Sequence, residues 1–179
     1  MRRALRQLAV ELLRKDPDTY SSAILGESRE SYLAKLVKPT TWGGAVELAL
    51  FAAHFQVEIW CWDAKSGVCH KFGEQQGYST AWLLAYAGIH YDVLVGLPTP
   101  DAPPERGTTA FAVSQPGLTD ACQHLVTQLQ SQHYYTDTAT FSITCRTCGQ
   151  RLEGEKGIAM HAQQTGHSDF SQTEETLSQ

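Results

Sequence analysis

"AVELALFAAHFQVEIWCWD", residues 45–63, changes its period halfway, and that change decides the fold class. Up to Phe55 the apolar residues Val46, Leu48, Leu50, Phe51 and Phe55 lie nearly all round a helical wheel, which predicts a buried helix. From Val57 the period drops to two. Val57, Ile59 and Cys61 alternate with Glu58, Trp60 and Trp62, as a strand requires.

Upstream of this stretch the patterns are helical. Leu5, Leu8, Ala9, Leu12 and Leu13 fall on one face of a helix that Asp16-Pro17 stops, and shorter helices are predicted over 19–25 and 31–37, the last ended by Pro39. Downstream the patterns are strands. "VCHKF" follows a Lys65-Ser66-Gly67 turn, and "AWLLAYA" leads through Ala87-Gly88 into "HYDVLV". Helices followed by a meander of strands predict an α+β domain with antiparallel pairing.

The chain has 179 residues, 18% charged, and a formal net charge of −5. That balance argues against a general nucleic-acid surface, which needs a basic excess to displace counterions. No apolar run approaches the roughly 20 residues that cross a bilayer, so neither nucleic acid nor membrane is an expected partner. The basic start "MRRALRQLAVELLRK" lacks the uninterrupted apolar centre of a signal peptide. With five cysteines and no secretory signal, a reducing, cytoplasmic setting without disulfides is expected.

Five of the seven prolines fall within 96–117, which reads as a boundary. Beyond it Leu118, Ala121, Cys122, Leu125 and Leu129 mark an amphipathic helix. The expected organisation is a first domain over 1–97, linker and helix over 98–138, a compact module over 139–168, and a disordered tail over 169–179. In the module, Cys145, Cys148, His161 and His167 form C-x2-C-x12-H-x5-H, within the spacing of a tetrahedral zinc site. Leu152 and Ile158 sit where a ββα finger needs its small core. Four protein ligands leave no open position, so the expected zinc is structural and no cofactor serves catalysis. A single finger in an acidic chain lacks the array and the charge that tandem DNA-reading fingers use.

His90-Tyr91-Asp92 opens the last strand pattern. Residues i and i+2 of a strand share a face, so Asp92 can accept a hydrogen bond from the His90 ring and fix its tautomer. Gly88 allows an unusual backbone turn and the close approach of a substrate. A general base held on a rigid element is one reading; a packed or surface histidine is the other.

"TWGGAVELALFAAHFQVEIWCWD", "KFGEQQGYSTAWLLAYAGIHYD" and the finger, in that order, resemble the ovarian-tumour (OTU) family of cysteine deubiquitinases. The likeness is greatest to its ubiquitin thioesterase subfamily with a C-terminal two-Cys/two-His finger. It runs through nearly the whole chain and is weakest in the proline-rich stretch and the helix after it. The resemblance implies a papain-like cysteine protease fold and removal of conjugated ubiquitin in ER-associated degradation. It makes His90 the base that activates a thiol, with Asp92 as orienting acid. Tyr86, Ala87, Gly88 and Ile89 become the substrate-binding loop, residues 63–72 a loop that helps hold ubiquitin, and the helix around 118–132 a contact for a second ubiquitin of a chain. Ubiquitin and polyubiquitin are the implied partners; docking on the valosin-containing AAA ATPase is implied only for full-length relatives.

In that family the nucleophile lies in an Asp-x-x-Cys loop upstream of the helix with which this chain starts. None of the five cysteines has an aspartate three residues before it. The first domain is therefore expected to lack its nucleophile segment, through truncation, and to be inactive by itself. A non-catalytic ubiquitin-binding adaptor is the alternative.

Overall fold

In the computed structural model, residues 2–38, 41–136, 142–167 and 169–172 are described. They divide into two compact units. The first comprises residues 1–61, 69–84 and 93–118; the second comprises 62–68, 85–92 and 119–179. No described helix is long and apolar enough to cross a membrane.

The first unit opens with α1 (Arg2–Lys15), α2 (Ser22–Leu25), α3 (Arg29–Leu36) and α4 (Ala45–Phe55). Ala9, Val10 and Leu13 of α1 close over Leu25, Leu36 and Leu50. Leu5, expected on the apolar face, is exposed instead, because the buried stripe runs through Val10. The α1 polar face has a task of its own. Arg6 donates to the carbonyls of Leu36 and Thr41 at 2.9 and 2.8 Å, satisfying carbonyls that the end of α3 leaves open. Arg29 does the same for Leu13 at 2.6 Å.

The helix α4 shows what "WGG-x-x-E-L" encodes. Glu47, in its first turn, is buried, and its carboxylate accepts from the Gly44 N–H at 2.7 Å and the Tyr32 hydroxyl at 2.6 Å. One glutamate thus caps α4 and ties it to α3. Burial, and then the bond to Glu47, push the Tyr32 phenol well above its ordinary value. Glu47→Ala would strand two donors, and a loss of about 2 to 4 kcal/mol in urea unfolding of this unit is expected. Glu47→Gln, which keeps one acceptor, should lose about half as much.

The main sheet contains β1 (Glu58–Asp63), β2 (Cys69–Phe72), β3 (Thr80–Tyr86) and β4 (Tyr91–Val93) in the order β2-β1-β3-β4. The central β1 is buried on both faces. Ile59 joins Ala52 and Val57 in a core that Phe51, Phe72, Trp82 and Leu84 cover. On the opposite face the Trp60 indole donates to buried Glu58 at 2.6 Å, and the Lys71 ammonium lies 4.2 Å over the Trp60 ring.

The proline-rich stretch is not a plain linker. Within it β5 (Ala110–Ala112) pairs antiparallel with β3, Thr80 facing Ala112 and Trp82 facing Ala110. A Gly96–Thr108 bridge closes the base of the intervening loop. Phe111 is the only buried residue of β5, and an apolar signal one residue long hides the strand from a periodicity reading.

The helix α5 (Leu118–Ser131), in the second unit from Thr119 onward, buries Cys122 and Val126, whereas Ala121 and Leu125, expected on the same stripe, are exposed. The C-terminal module is β6 (Ser142–Cys145), β7 (Arg151–Glu153), α6 (Gly154–Thr165) and β8 (Phe170–Gln172), with β6 between β7 and β8. The third strand corrects the tail expected from residue 169: Cys145 faces Phe170 across an antiparallel pair. The expected boundary residues 137–141 and the remainder of the tail, 173–179, lie outside the described residues, as does Pro39.

Candidate functional site

The strand β3 ends at Tyr86 and β4 begins at Tyr91, so His90 is the last residue of the connecting loop and not a strand residue as expected. The loop is narrow: the Ala87 N–H donates to the His90 carbonyl at 2.9 Å. The rings of Tyr86 and Tyr91 stack across its base with centroids 4.6 Å apart, and the Tyr86 hydroxyl donates to the Gly88 carbonyl.

The expected pair lies close together, but the expected hydrogen bond is not made. His90 Nε2 lies 3.8 Å from Asp92 Oδ1, with the side chains 56% and 45% exposed. That separation is too long for a hydrogen bond, so Asp92 does not lock the ring. Ile89, beside His90, is also exposed.

Gly88 has φ +92°, and the close approach that it permits is made by the chain itself. A Cβ there would lie 2.2 Å from the Thr136 carbonyl oxygen. The Thr136 N–H donates to the Ala87 carbonyl at 2.7 Å. Nothing in the local pattern around Thr136 announces this contact; the glycine is its one trace in the sequence.

Three of the five thiols lie outside the C-terminal module. Cys61 and Cys122 are buried, and burial pushes the Cys122 thiol up. Cys69 is half-buried on β2. An activated cysteine instead needs exposure and a nearby positive charge or helix N-terminus.

Cys145, Cys148, His161 and His167 come together as expected, their donor atoms all within 4.8 Å of one another. A tight turn after β6 aims both thiols. The Gly149 N–H donates to the Cys145 carbonyl at 2.7 Å, and Gly149 takes φ +75°. His161 sits on α6, while His167 follows the left-handed Gly166 that ends it. The Thr165 hydroxyl links them, donating to the His161 carbonyl at 2.7 Å and accepting from the His167 N–H at 3.2 Å.

Three of the six donor separations can be set against tetrahedral zinc, and those three fit. Metal–sulfur and metal–nitrogen bonds of about 2.3 and 2.05 Å at tetrahedral angles require about 3.6 Å between sulfur and nitrogen and about 3.3 Å between nitrogens. The structure gives 3.6 Å for Cys145 Sγ to His167 Nδ1, 3.5 Å for Cys148 Sγ to His161 Nε2, and 3.3 Å for His161 Nε2 to His167 Nδ1. Around the cluster Cys145 and Leu152 are buried, and the Phe170 ring meets His161 edge-on at 6.1 Å.

Comparison with known proteins agrees with both parts. Residues 139–173 match the family described as "Ubiquitin thioesterase OTU1, C-terminal C2H2-type zinc finger". Ubiquitin thioesterase OTU1 of Dictyostelium discoideum is 36% identical over 94% of this chain and 52% of its own length. The Homo sapiens protein of the same name is 34% identical over 94% of this chain and 48% of its own. The chain therefore spans about half the length of the relatives it matches. Among solved structures, an ovarian tumor (OTU) domain in complex with ubiquitin superposes with a TM-score of 0.65 and 26% identity. That match covers 75% of this chain and 74% of the other. Residues 139–173 thus match the C-terminal finger of ubiquitin thioesterase OTU1, and the chain as a whole is similar to proteins of that name and to a solved ovarian tumor (OTU) domain.

Proposed function

We propose that this chain carries the histidine half of a cysteine-type ubiquitin thioesterase, together with a structural zinc finger. The observation that carries the reading is His90, exposed at the end of a glycine-containing loop between two sheet strands, with Asp92 of β4 3.8 Å away. An exposed imidazole beside a carboxylate can take a proton from a thiol as sulfur attacks the carbonyl after the last glycine of ubiquitin. It can then return that proton to the departing amine, and the thioester left on sulfur is cleaved by water. Tyr86 to Ile89 would lie along the ubiquitin tail, and the turn after β1 and the face of α5 would hold ubiquitin further out.

The thiol is not assigned to any of the five cysteines here. In the zinc finger Cys145, Cys148, His161 and His167 fill all four positions, so the ion would fix the fold and activate no water. Two thiolate ligands suit a reducing compartment, and a cytoplasmic place in ER-associated degradation, with docking on an AAA ATPase in full-length relatives, belongs to the same proposal.

Two measurements on the 179-residue polypeptide test the reading. Added ubiquitin should shift the amide signals of residues 86–92. A ubiquitin probe with a cysteine-reactive group at its C-terminus should leave the chain unlabelled. No shift at that loop would remove it from ubiquitin recognition. Labelling would place the nucleophile among the five cysteines. Loop shifts without activity in any longer form would favour the adaptor reading.

A further inference from the structure

The His90 loop has little to hold it in place through its own burial. Ile89 and His90 are exposed, and the Asp92 contact is solvated. Within its own ends the loop has the Ala87–His90 backbone bond and the Tyr86 hydroxyl on the Gly88 carbonyl. A base must be held within about half an ångström of its working position to be effective, and a solvated surface loop does not supply that by itself.

The segment that follows α5 supplies it. After Ser131 the chain turns back at His133, a non-glycine residue with φ +54°. It then runs to Thr136, whose N–H bonds the Ala87 carbonyl at 2.7 Å while its own carbonyl fills the space that a side chain at position 88 would take. One residue before the end of α5, the Gln130 side-chain amide donates to the Lys65 carbonyl at 2.9 Å, in the turn between β1 and β2. A Cβ at Gly67 would lie 3.2 Å from that same amide nitrogen. The same short stretch therefore holds two loops, each through a backbone carbonyl and each beside a glycine in the left-handed region.

We infer that residues 130–136 are a strap that positions the two loops of the proposed ubiquitin site, with Thr136 acting on the His90 loop and Gln130 on the turn at Lys65. Thr136 is thus a positioning residue that acts through its backbone and not through its side chain. The assignment of a reaction to the loop rests on the function proposed above; the strap itself does not.

The test uses backbone chemistry. Thr136→Pro removes the N–H donor, whereas Thr136→Ala removes the side chain and keeps the donor. In the 179-residue polypeptide, amide exchange at Gly88 to Tyr91 should quicken about tenfold in Thr136→Pro. The His90 ring signals should show added exchange broadening on the microsecond–millisecond scale. Amides of β1 and β3 should stay as in the wild type, and Thr136→Ala should behave as the wild type throughout. Gln130→Ala should quicken exchange at Lys65 to Gly67 and leave the His90 loop alone, which gives a second arm if the proline variant folds poorly. Unchanged exchange at both loops, or equal effects of Thr136→Ala and Thr136→Pro, would overturn the strap. A wild-type chain whose loop ignores ubiquitin would count against the proposed function and leave these exchange results to stand on their own.

Discussion

Cys148→Ala is expected to unfold residues 142–172 while the first unit keeps its fold. The finger's covalent span is short, and among its described residues Cys145, Leu152, Gly154 and His161 are the buried ones. Such a core cannot offset the conformational entropy of ordering about 30 residues. Metal binding supplies the difference: about 10 to 16 kcal/mol for structural zinc in finger peptides near neutral pH. Removing one thiolate also leaves a three-ligand site that water enters. Amide spectra should therefore lose the dispersed signals of β6, β7, α6 and β8, and a strong chelator should produce the same loss in the wild type. The wild type should contain close to one zinc per chain. A finger that stays folded in metal-free protein would contradict the assignment.

The second large effect concerns His90. Under the proposed function, a chimera in which this chain replaces the matched region of the Dictyostelium relative should hydrolyse ubiquitin conjugates. His90→Ala in that chimera is expected to lower kcat/KM on the order of a thousandfold, since a thiol without its base loses both activation and proton return. Asp92→Ala should cost far less, about fivefold, because a solvated pair at 3.8 Å orients the ring only weakly. A His90→Ala chimera that kept its activity would exclude the histidine from the reaction. An Asp92→Ala loss as deep as that of His90→Ala would mean that the pair closes to a hydrogen bond when ubiquitin is bound.

The parts of the fold that could be read in advance are those in which one local period carries the burial. The change of period between Phe55 and Val57 gives α4 and β1, and the apolar run from Ala81 gives β3. The four metal ligands were readable because spacing along the chain determines where they meet. What escaped has its cause elsewhere in the sequence. The strand β5 is three residues long with one buried side chain, and its partner lies 30 residues upstream. The strand β8 exists because β6 has a second edge to fill. His90 falls just outside β4 because the loop needs its carbonyl to close on Ala87. Thr136 acts through its peptide group, which any residue but proline would provide, so no side-chain pattern could point to it.

The bridge at Gly96–Thr108, with β5 immediately beyond it, stitches both ends of the segment 97–107 to the sheet. What lies between the stitches is a surface festoon whose closure cost rises only slowly with contour length. Lengthening or recomposing it alters neither the strand order nor the register on β3. Insertions short of Gly107, where a Cβ would lie 2.1 Å from Val95 Cγ1, are therefore expected to disturb the first unit little.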